Sequence, residues 1–231
     1  KLYASRDRFG VKPFYYYHSG RSFVFASEQK ALLENPVVRT GIHEAALFDY
    51  FVLGQIEYQS ESFFQNILEL APAHYLCWDF KTGDCSVHRY YQLQTQYGTP
   101  EQNRISFEEH VQNTRDLLEQ AIRIRLRADV EVGTCLSGGL DSSAITGLMR
   151  KILSPGREIK TFTSVFPGDP SDESKWADSM AEFSASQSFK VTADAAELLR
   201  DLDELSLCQD IPLWSTSTYA QFRVMKMVRD T

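Results

Sequence analysis

The chain has 231 residues, enough for one or two domains of the usual ~100–200 residues and for a real core. Hydrophobic residues make up 43% and charged residues 24%, which excludes a disordered chain, and no apolar run reaches the ~18–20 residues of a membrane helix. The balance of 24 Lys+Arg against 31 Asp+Glu gives a net charge of −7 and argues against a sequence-independent nucleic-acid surface.

Residues 1–5 read as a strand from the first position, with no initiator Met and no signal peptide, so the chain is expected to begin inside a domain. Residues 6–13 form a tight connection, with Gly10 supplying φ freedom and Pro13 fixing the exit. Residues 14–18 and 21–26 flank Ser19-Gly20, a hairpin signal, and the aromatic run from Phe14 to Tyr17 faces two ways. A capped short helix is expected over 27–33, and a second over 43–53 with Ala46, Leu47, Tyr50 and Phe51 at helical spacing. Residues 74–80 and 85–91 make another hairpin. A two-residue loop at Thr82-Gly83 pairs position 80 with 85 and 77 with 88, so Cys77 and Cys85 do not face each other and the four cysteines are expected as reduced thiols.

Residues 94–104 are polar and aperiodic and read as a linker. Beyond it the style changes. Ser106 caps a long helix with Phe107, Val111, Leu118 and Ile122 on one face. Strands at 131–136, 158–166 and 187–191 alternate with helices at 142–153, 172–185, 195–207 and 218–229. That alternation predicts a parallel sheet covered by helices on both faces. Asp172-Glu173 read first as a helix N-cap with dipole support, and a role near a substrate or Mg²⁺ is the lesser reading. Trp78, Trp176 and Trp214 read as packing residues, and no histidine has metal-ligand spacing.

Chemistry concentrates in Ser137-Gly138-Gly139-Leu140-Asp141-Ser142-Ser143, which follows a strand and opens a helix. The glycines let the backbone bend and let a ligand approach; successive N–H groups and the helix start then form an anion nest. Ser137, Ser142 and Ser143 add hydroxyl donors. A carboxylate at Asp141 would repel phosphate unless Mg²⁺ bridges the two. The string lacks GxxxxGK[ST] and has no lysine for a γ-phosphate, so a cradle for a leaving pyrophosphate fits best. An ordinary strand–helix turn with Ser and Asp as caps would account for each piece singly, but not for the whole string.

This string resembles the pyrophosphatase loop of N-type ATP pyrophosphatases. Together with "RDRFGVKPFYY", "FASEQKALL", "TFTSVFPG" and "QDIPLWSTSTYAQ", it makes the chain similar to the glutamine-hydrolysing asparagine synthetase family. Where that family usually has Pro-Gly-His, this chain has Pro72-Ala73-His74. The resemblance implies an α+β remnant of an N-terminal-nucleophile glutaminase domain over 1–95, a linker over 96–105, and an α/β parallel-sheet ATP pyrophosphatase domain over 106–231.

The implied function is a ligase of asparagine biosynthesis. It amidates aspartate with glutamine nitrogen through a β-aspartyl-adenylate and releases AMP and pyrophosphate. ATP and Mg²⁺ are the implied cofactors, and aspartate, glutamine and ATP the substrates, in a cytoplasmic homodimer with no nucleic acid and no membrane. Leu136, Ser137, Gly138, Gly139, Asp141, Ser142, Ser143 and Ser164 would bind ATP and pyrophosphate, with backbone groups of Leu136 and Ser164 on the adenine side and Asp141 on the metal. No catalytic residue is expected within the chain: the family's nucleophile is an N-terminal Cys, and Cys135 reads as a buried strand residue. The chain is therefore expected to be a fragment, inactive by itself. Two alternatives share its features: a related ligase acting on another carboxylate, such as a β-lactam synthetase or another amidotransferase, and a non-enzymatic nucleotide-binding protein.

Overall fold

A computed structural model describes residues 1–56, 61–93, 104–154, 156–170 and 172–231, so most of the expected linker lies outside the described residues. The chain forms two compact units, residues 1–95 with 203–214, and residues 96–202 with 215–231. No helix among the described residues is long and apolar enough to cross a membrane.

In the first unit the strands are β1 (Leu2–Ser5), β2 (Tyr15–Ser19), β3 (Ser22–Ala26), β4 (Leu68–Glu69), β5 (His74–Trp78) and β6 (Cys85–Arg89). Helices α1 (Gln29–Leu33) and α2 (Glu44–Leu53) lie between β3 and β4 in the chain. They make two antiparallel sheets, ordered β1-β5-β6 and β3-β2-β4. Tyr16, Leu70 and Leu76 form the core, with Phe14 and Phe23 packed against it. Tyr16 and its neighbour Tyr17 are both buried, so β2 is covered on both faces, as the aromatic run requires.

The loop after β1 is tied down from inside. The buried Arg6 guanidinium donates to the carbonyls of Leu70 at 2.7 Å, Lys12 at 2.9 Å and Gly10 at 3.2 Å, and pairs with Glu69 at 2.8 Å. The Asp7 carboxylate accepts the N–H groups of Lys12, Val11 and Phe9, and these bonds hold it below the usual carboxylate range. With donors and acceptors so fully engaged, this loop is a structural joint.

Several expectations need correction. The β5–β6 hairpin pairs Trp78 with Cys85 and Cys77 with Ser86, two positions from the expected register, because Asp79 and Asp84 close a longer turn. The Asp79 carboxylate also accepts the N–H of Lys81 inside that turn. Cys77 and Cys85 still do not face each other, and all four thiols are free. Ser27 does not cap α1. Its N-cap, Glu28, makes no side-chain bond, and the carboxylate of Asp210 instead accepts the N–H groups of Gln29 and Lys30 and pairs with the Lys30 ammonium at 3.1 Å. Of the three tryptophans only Trp78 is buried; Trp176 and Trp214 are exposed.

Chain order continues with α3 (Phe107–Arg125), β7 (Thr134–Cys135), α4 (Leu140–Ile152), β8 (Lys160–Val165), α5 (Ser174–Phe183), β9 (Gln187–Thr192), α6 (Ala195–Gln209) and α7 (Thr216–Asp230). Strands β7, β8 and β9 form a parallel sheet in that order, as the alternation predicts. Ser106 and Glu109 close a capping box at the start of α3. Only the end of its apolar face is covered: Ile122 packs with Met149 and Ile159, while Phe107, Val111 and Leu118 are exposed. Strand β7 is shorter than 131–136 and pairs with β8 at two positions; Leu136 N–H to Phe162 O at 2.9 Å carries the ladder one residue further.

Ala73 has φ +62, a left-handed backbone that costs an L-residue about 1–2 kcal/mol relative to glycine. Its N–H and C=O are both committed, to Asp7 O and Tyr90 N, so the conformation is held in place. Ala73→Gly is expected to raise stability by about 1 kcal/mol after the extra freedom of glycine in the unfolded chain is subtracted. A urea denaturation midpoint measures it, and a lower midpoint for the variant would show that Ala73 is not strained.

Candidate functional site

The strand–helix junction of the second unit is built around a buried Leu136. Its N–H donates to Phe162 and its carbonyl accepts the buried Thr163 hydroxyl at 2.6 Å, so the chain leaves β7 on a fixed heading. Gly138 then takes φ +88, and a Cβ there would stand 2.7 Å from Glu173 O and 2.9 Å from Ala177 N. Only glycine allows the loop to lie against the first turn of α5. Gly139 is the N-cap of α4, which begins at Leu140, two residues earlier than the sequence pattern suggests. Asp141 therefore sits in the exposed first turn of a helix, where its charge suits the dipole.

The serine hydroxyls fold this loop upon itself. Ser137 Oγ and Ser142 Oγ are 3.0 Å apart; Ser137 N–H donates to Ser142 Oγ, Gly139 N–H to Ser137 Oγ, and Ser142 Oγ to Gly139 O. These contacts of 3.0–3.3 Å, most of them at exposed positions, are ones an incoming anion can replace. Ser143 N–H is used in the helix, bonding Gly139 O at 3.1 Å.

Beside the loop, at the strand ends, lies a cavity of about 210 Å³ lined by Ser137, Phe162, Ser164, Glu173, Gln221 and Val224 among others. The Ser164 hydroxyl is buried in the fold with no hydrogen-bond partner, while its backbone runs in register beside Val191 of β9. Of the site residues read from the sequence, the fold gathers Leu136, Ser137 and Ser164 at this cavity, and Gly138, Gly139, Ser142 and Ser143 in the adjoining turn. Asp141 does not line it. Cys135 does, and it is exposed rather than buried, although packing around the thiol pushes its pKa up.

The sequence reading missed Gln221 as a cavity residue, while Glu173, whose place near a substrate was only the lesser reading, does line the cavity. Gln221 lies on α7, distant in the chain, and only the motif around it hinted at a role. Of the pair Asp172-Glu173, Glu173 is the N-cap of α5, without a side-chain bond, and Asp172 is not. The Asp172 carboxylate accepts the Ser174 hydroxyl at 2.6 Å and the Phe166 N–H at 3.1 Å, closing the loop between β8 and α5. Those bonds hold it below the usual carboxylate range. A larger cleft of about 540 Å³ elsewhere in this unit is walled by paired charges, Asp201 with Arg223 and Lys226, and carries no loop of the anion-binding kind. Among the described residues no group of three or more His, Cys, Asp or Glu could hold a metal ion.

A parallel sheet whose edge strand runs into a glycine–serine turn at a helix start defines an open-sheet α/β domain, with its candidate anion site at the strand ends. Comparison with known proteins narrows this class. Residues 113–231 match the asparagine synthase family and residues 1–91 the glutamine amidotransferase domain family. The chain belongs to the asparagine synthase family. It is 32% identical over 223 residues to asparagine synthetase (glutamine-hydrolyzing) 3 of Bacillus subtilis (strain 168), covering 91% of this chain and 35% of that protein. To asparagine synthetase (glutamine-hydrolyzing) 2 of the same organism it is 31% identical over 187 residues, 76% of this chain and 24% of that protein. To the amidase chry2 of Gibberella zeae it is 28% identical over 225 residues, 92% and 32% of the two chains. The chain thus spans roughly a quarter to a third of the length of these relatives.

Two measurements probe the site's construction. Gly138→Ala is expected to destabilise the protein by more than 2 kcal/mol, because the new methyl meets main-chain atoms that cannot rotate away and the positive φ adds its own cost. A denaturation midpoint equal to wild type would mean that α5 shifts freely. Asp172→Asn should also lower stability, with a distinct pH profile. A carboxylate depressed in the folded state stabilises above its unfolded pKa of about 3.9, and that contribution fades as pH falls through the lower folded value. The wild-type advantage over Asn should therefore be constant at neutral pH and shrink in acid; an advantage independent of pH would remove the ionic role.

Proposed function

We propose that this chain is part of an ATP-dependent ligase that amidates the side chain of aspartate with nitrogen from glutamine, through a β-aspartyl-adenylate, releasing AMP and pyrophosphate. Residues 1–95 would form the glutamine amidotransferase part, 96–105 the joint, and 106–231 the part that handles ATP. The observation that carries the reading is the turn from Ser137 to Ser143 opening beside a cavity at the carboxyl ends of β7 and β8. Family membership and the named relatives support the reaction class.

In this reading the nest of N–H groups at Gly138, Gly139 and the start of α4 receives the phosphate chain of ATP, the hydroxyls of Ser137 and Ser142 exchange their mutual bond for bonds to its oxygens, and the Ser143 hydroxyl adds a further donor. Negative charge grows on the β-phosphate as pyrophosphate leaves, and fixed N–H dipoles stabilise it without reorganising. Asp141, a single carboxylate on an exposed helical turn, would hold Mg²⁺ together with the phosphates, as one or two carboxylates commonly do for this ion. The metal would supply charge neutralisation at the phosphates. The reading extends to a cytoplasmic, homodimeric enzyme.

Aspartate-dependent exchange of labelled pyrophosphate into ATP, measured on the natural protein that carries this chain, tests the proposal. Asp141→Asn should lower exchange by tenfold or more while glutamine hydrolysis continues. Exchange that needs a different acid in place of aspartate would assign the ligase to another carboxylate, and unchanged exchange in the variant would remove Asp141 from the site.

A further inference from the structure

The first unit holds a small cavity that no step of the proposed reaction uses. It measures about 140 Å³, and its lining includes Tyr15 of β2, Gln29 at the start of α1, Glu61, Ser62, Glu69 of β4 and Ile211. Gln29 is the unusual member. It is only 2% exposed, and its Oε1 has no hydrogen-bond partner. The amide nitrogen is not the bare end, because it donates to the Tyr15 phenol oxygen. A buried acceptor without a donor is costly, and a bound water or ion is the usual reason one persists.

The charges around Gln29 decide between those two. Glu61 and Glu69 both line the cavity, and among the described residues no Lys or Arg does. Each carboxylate is held at one oxygen, Glu69 Oε1 by Arg6 at 2.8 Å and Glu61 Oε2 by His43 Nε2 at 2.9 Å, which leaves each a second oxygen. Tyr15 stands opposite Glu69 in the β2–β4 pairing, and burial first and the Glu69 charge second push its phenol above the ordinary range. That response marks a negative field in the cavity. The Ser62 hydroxyl is already committed, donating to the Phe64 carbonyl and accepting the Phe64 N–H. A water has two protons to share among these acceptors, whereas a cation attracts all of them at once.

We infer that this cavity binds a monovalent cation of the size of potassium, held by Gln29 Oε1 and the second oxygens of Glu61 and Glu69, with water completing its shell. The volume suits an ion with part of its hydration. A divalent ion fits less well, since Mg²⁺ demands a near-ideal octahedron and Ca²⁺ six to eight oxygens, and the Glu69 charge is already shared with Arg6. Sodium is disfavoured because the ligands cannot close in on a smaller ion: Arg6 fixes Glu69, His43 fixes Glu61 and Tyr15 fixes Gln29. The ion would tie β2, β4 and the start of α1 together beside the Asp210 cap. This inference does not depend on the nucleotide reading.

Potassium titration of the natural protein that carries this chain, with choline holding the ionic strength constant, tests it. Potassium or rubidium should raise the melting temperature saturably, by about 2 °C or more, and sodium by much less. Hydrogen exchange should place the effect: potassium slows amides in peptides covering 15–33 and 61–70 and leaves those covering 140–152 unchanged. Gln29→Leu removes the bare oxygen, so it should be at least as stable as wild type in choline and should lose the potassium increment. Rubidium-soaked crystals should show an anomalous peak beside Gln29. Equal melting temperatures in potassium, sodium and choline would overturn the inference. So would an increment that survives in Gln29→Leu, or protection confined to other peptides. If Gln29→Leu does not fold, the wild-type exchange map and the rubidium peak decide the matter.

Discussion

The approach of the Gly138 backbone to the first turn of α5 is the constraint on which the second unit's site depends. With less than 3 Å between a hypothetical Cβ and two main-chain atoms, the turn and the helix share a surface that no side chain can enter. That contact sets where α4 begins and hence where its free N–H groups point. It also brings Glu173, at the start of α5, to the rim of the cavity. Behind it, the Thr163 hydroxyl reaches from β8 to the Leu136 carbonyl and ties the start of the turn to the neighbouring strand. The polar loop can then remain exposed without being loose, because its anchors are buried and its hydroxyls satisfy each other.

The first unit solves a comparable problem by charge. Arg6 is nearly buried, and burying a guanidinium is costly unless its donors are used. Here three carbonyls and one carboxylate use them, which ties the loop carrying Gly10 and Lys12 to the end of β4 at Glu69 and to Leu70 after it. By contrast, pairs such as Arg123–Glu119 and Arg229–Asp230 lie in solvent and contribute little.

How much of this was legible in the sequence depended on distance along the chain. The turn after β7 could be read because its logic is local: a strand, two glycines, hydroxyls and a helix within a dozen residues. That β7, β8 and β9 run parallel followed from alternation, while their order came only from the fold. The β5–β6 register was misread because the Asp79 N–H bonded to the Asp84 carbonyl, with the Asp79 carboxylate inside, defines a wider turn than the Thr-Gly pair suggests. Asp172 was placed one step too far into the helix, since an aspartate that closes a loop and one that caps a helix look alike in sequence. Gln221 ends a motif that marked the region but not the residue, because its place beside Ser164 and Cys135 at the cavity exists only in the folded chain.

Asp210 carries a consequence for any attempt to take the chain apart. It caps α1 from more than 170 residues away, and residues 203–214 fold with the first unit although they fall within the stretch matching the asparagine synthase family. Family boundaries and folding boundaries therefore do not coincide. Cutting at the polar stretch after residue 93 would separate the first unit from its own cap and leave the N–H groups of Gln29 and Lys30 without their carboxylate. A faithful excision of that unit would have to carry the later segment along, on a linker or as a separate peptide.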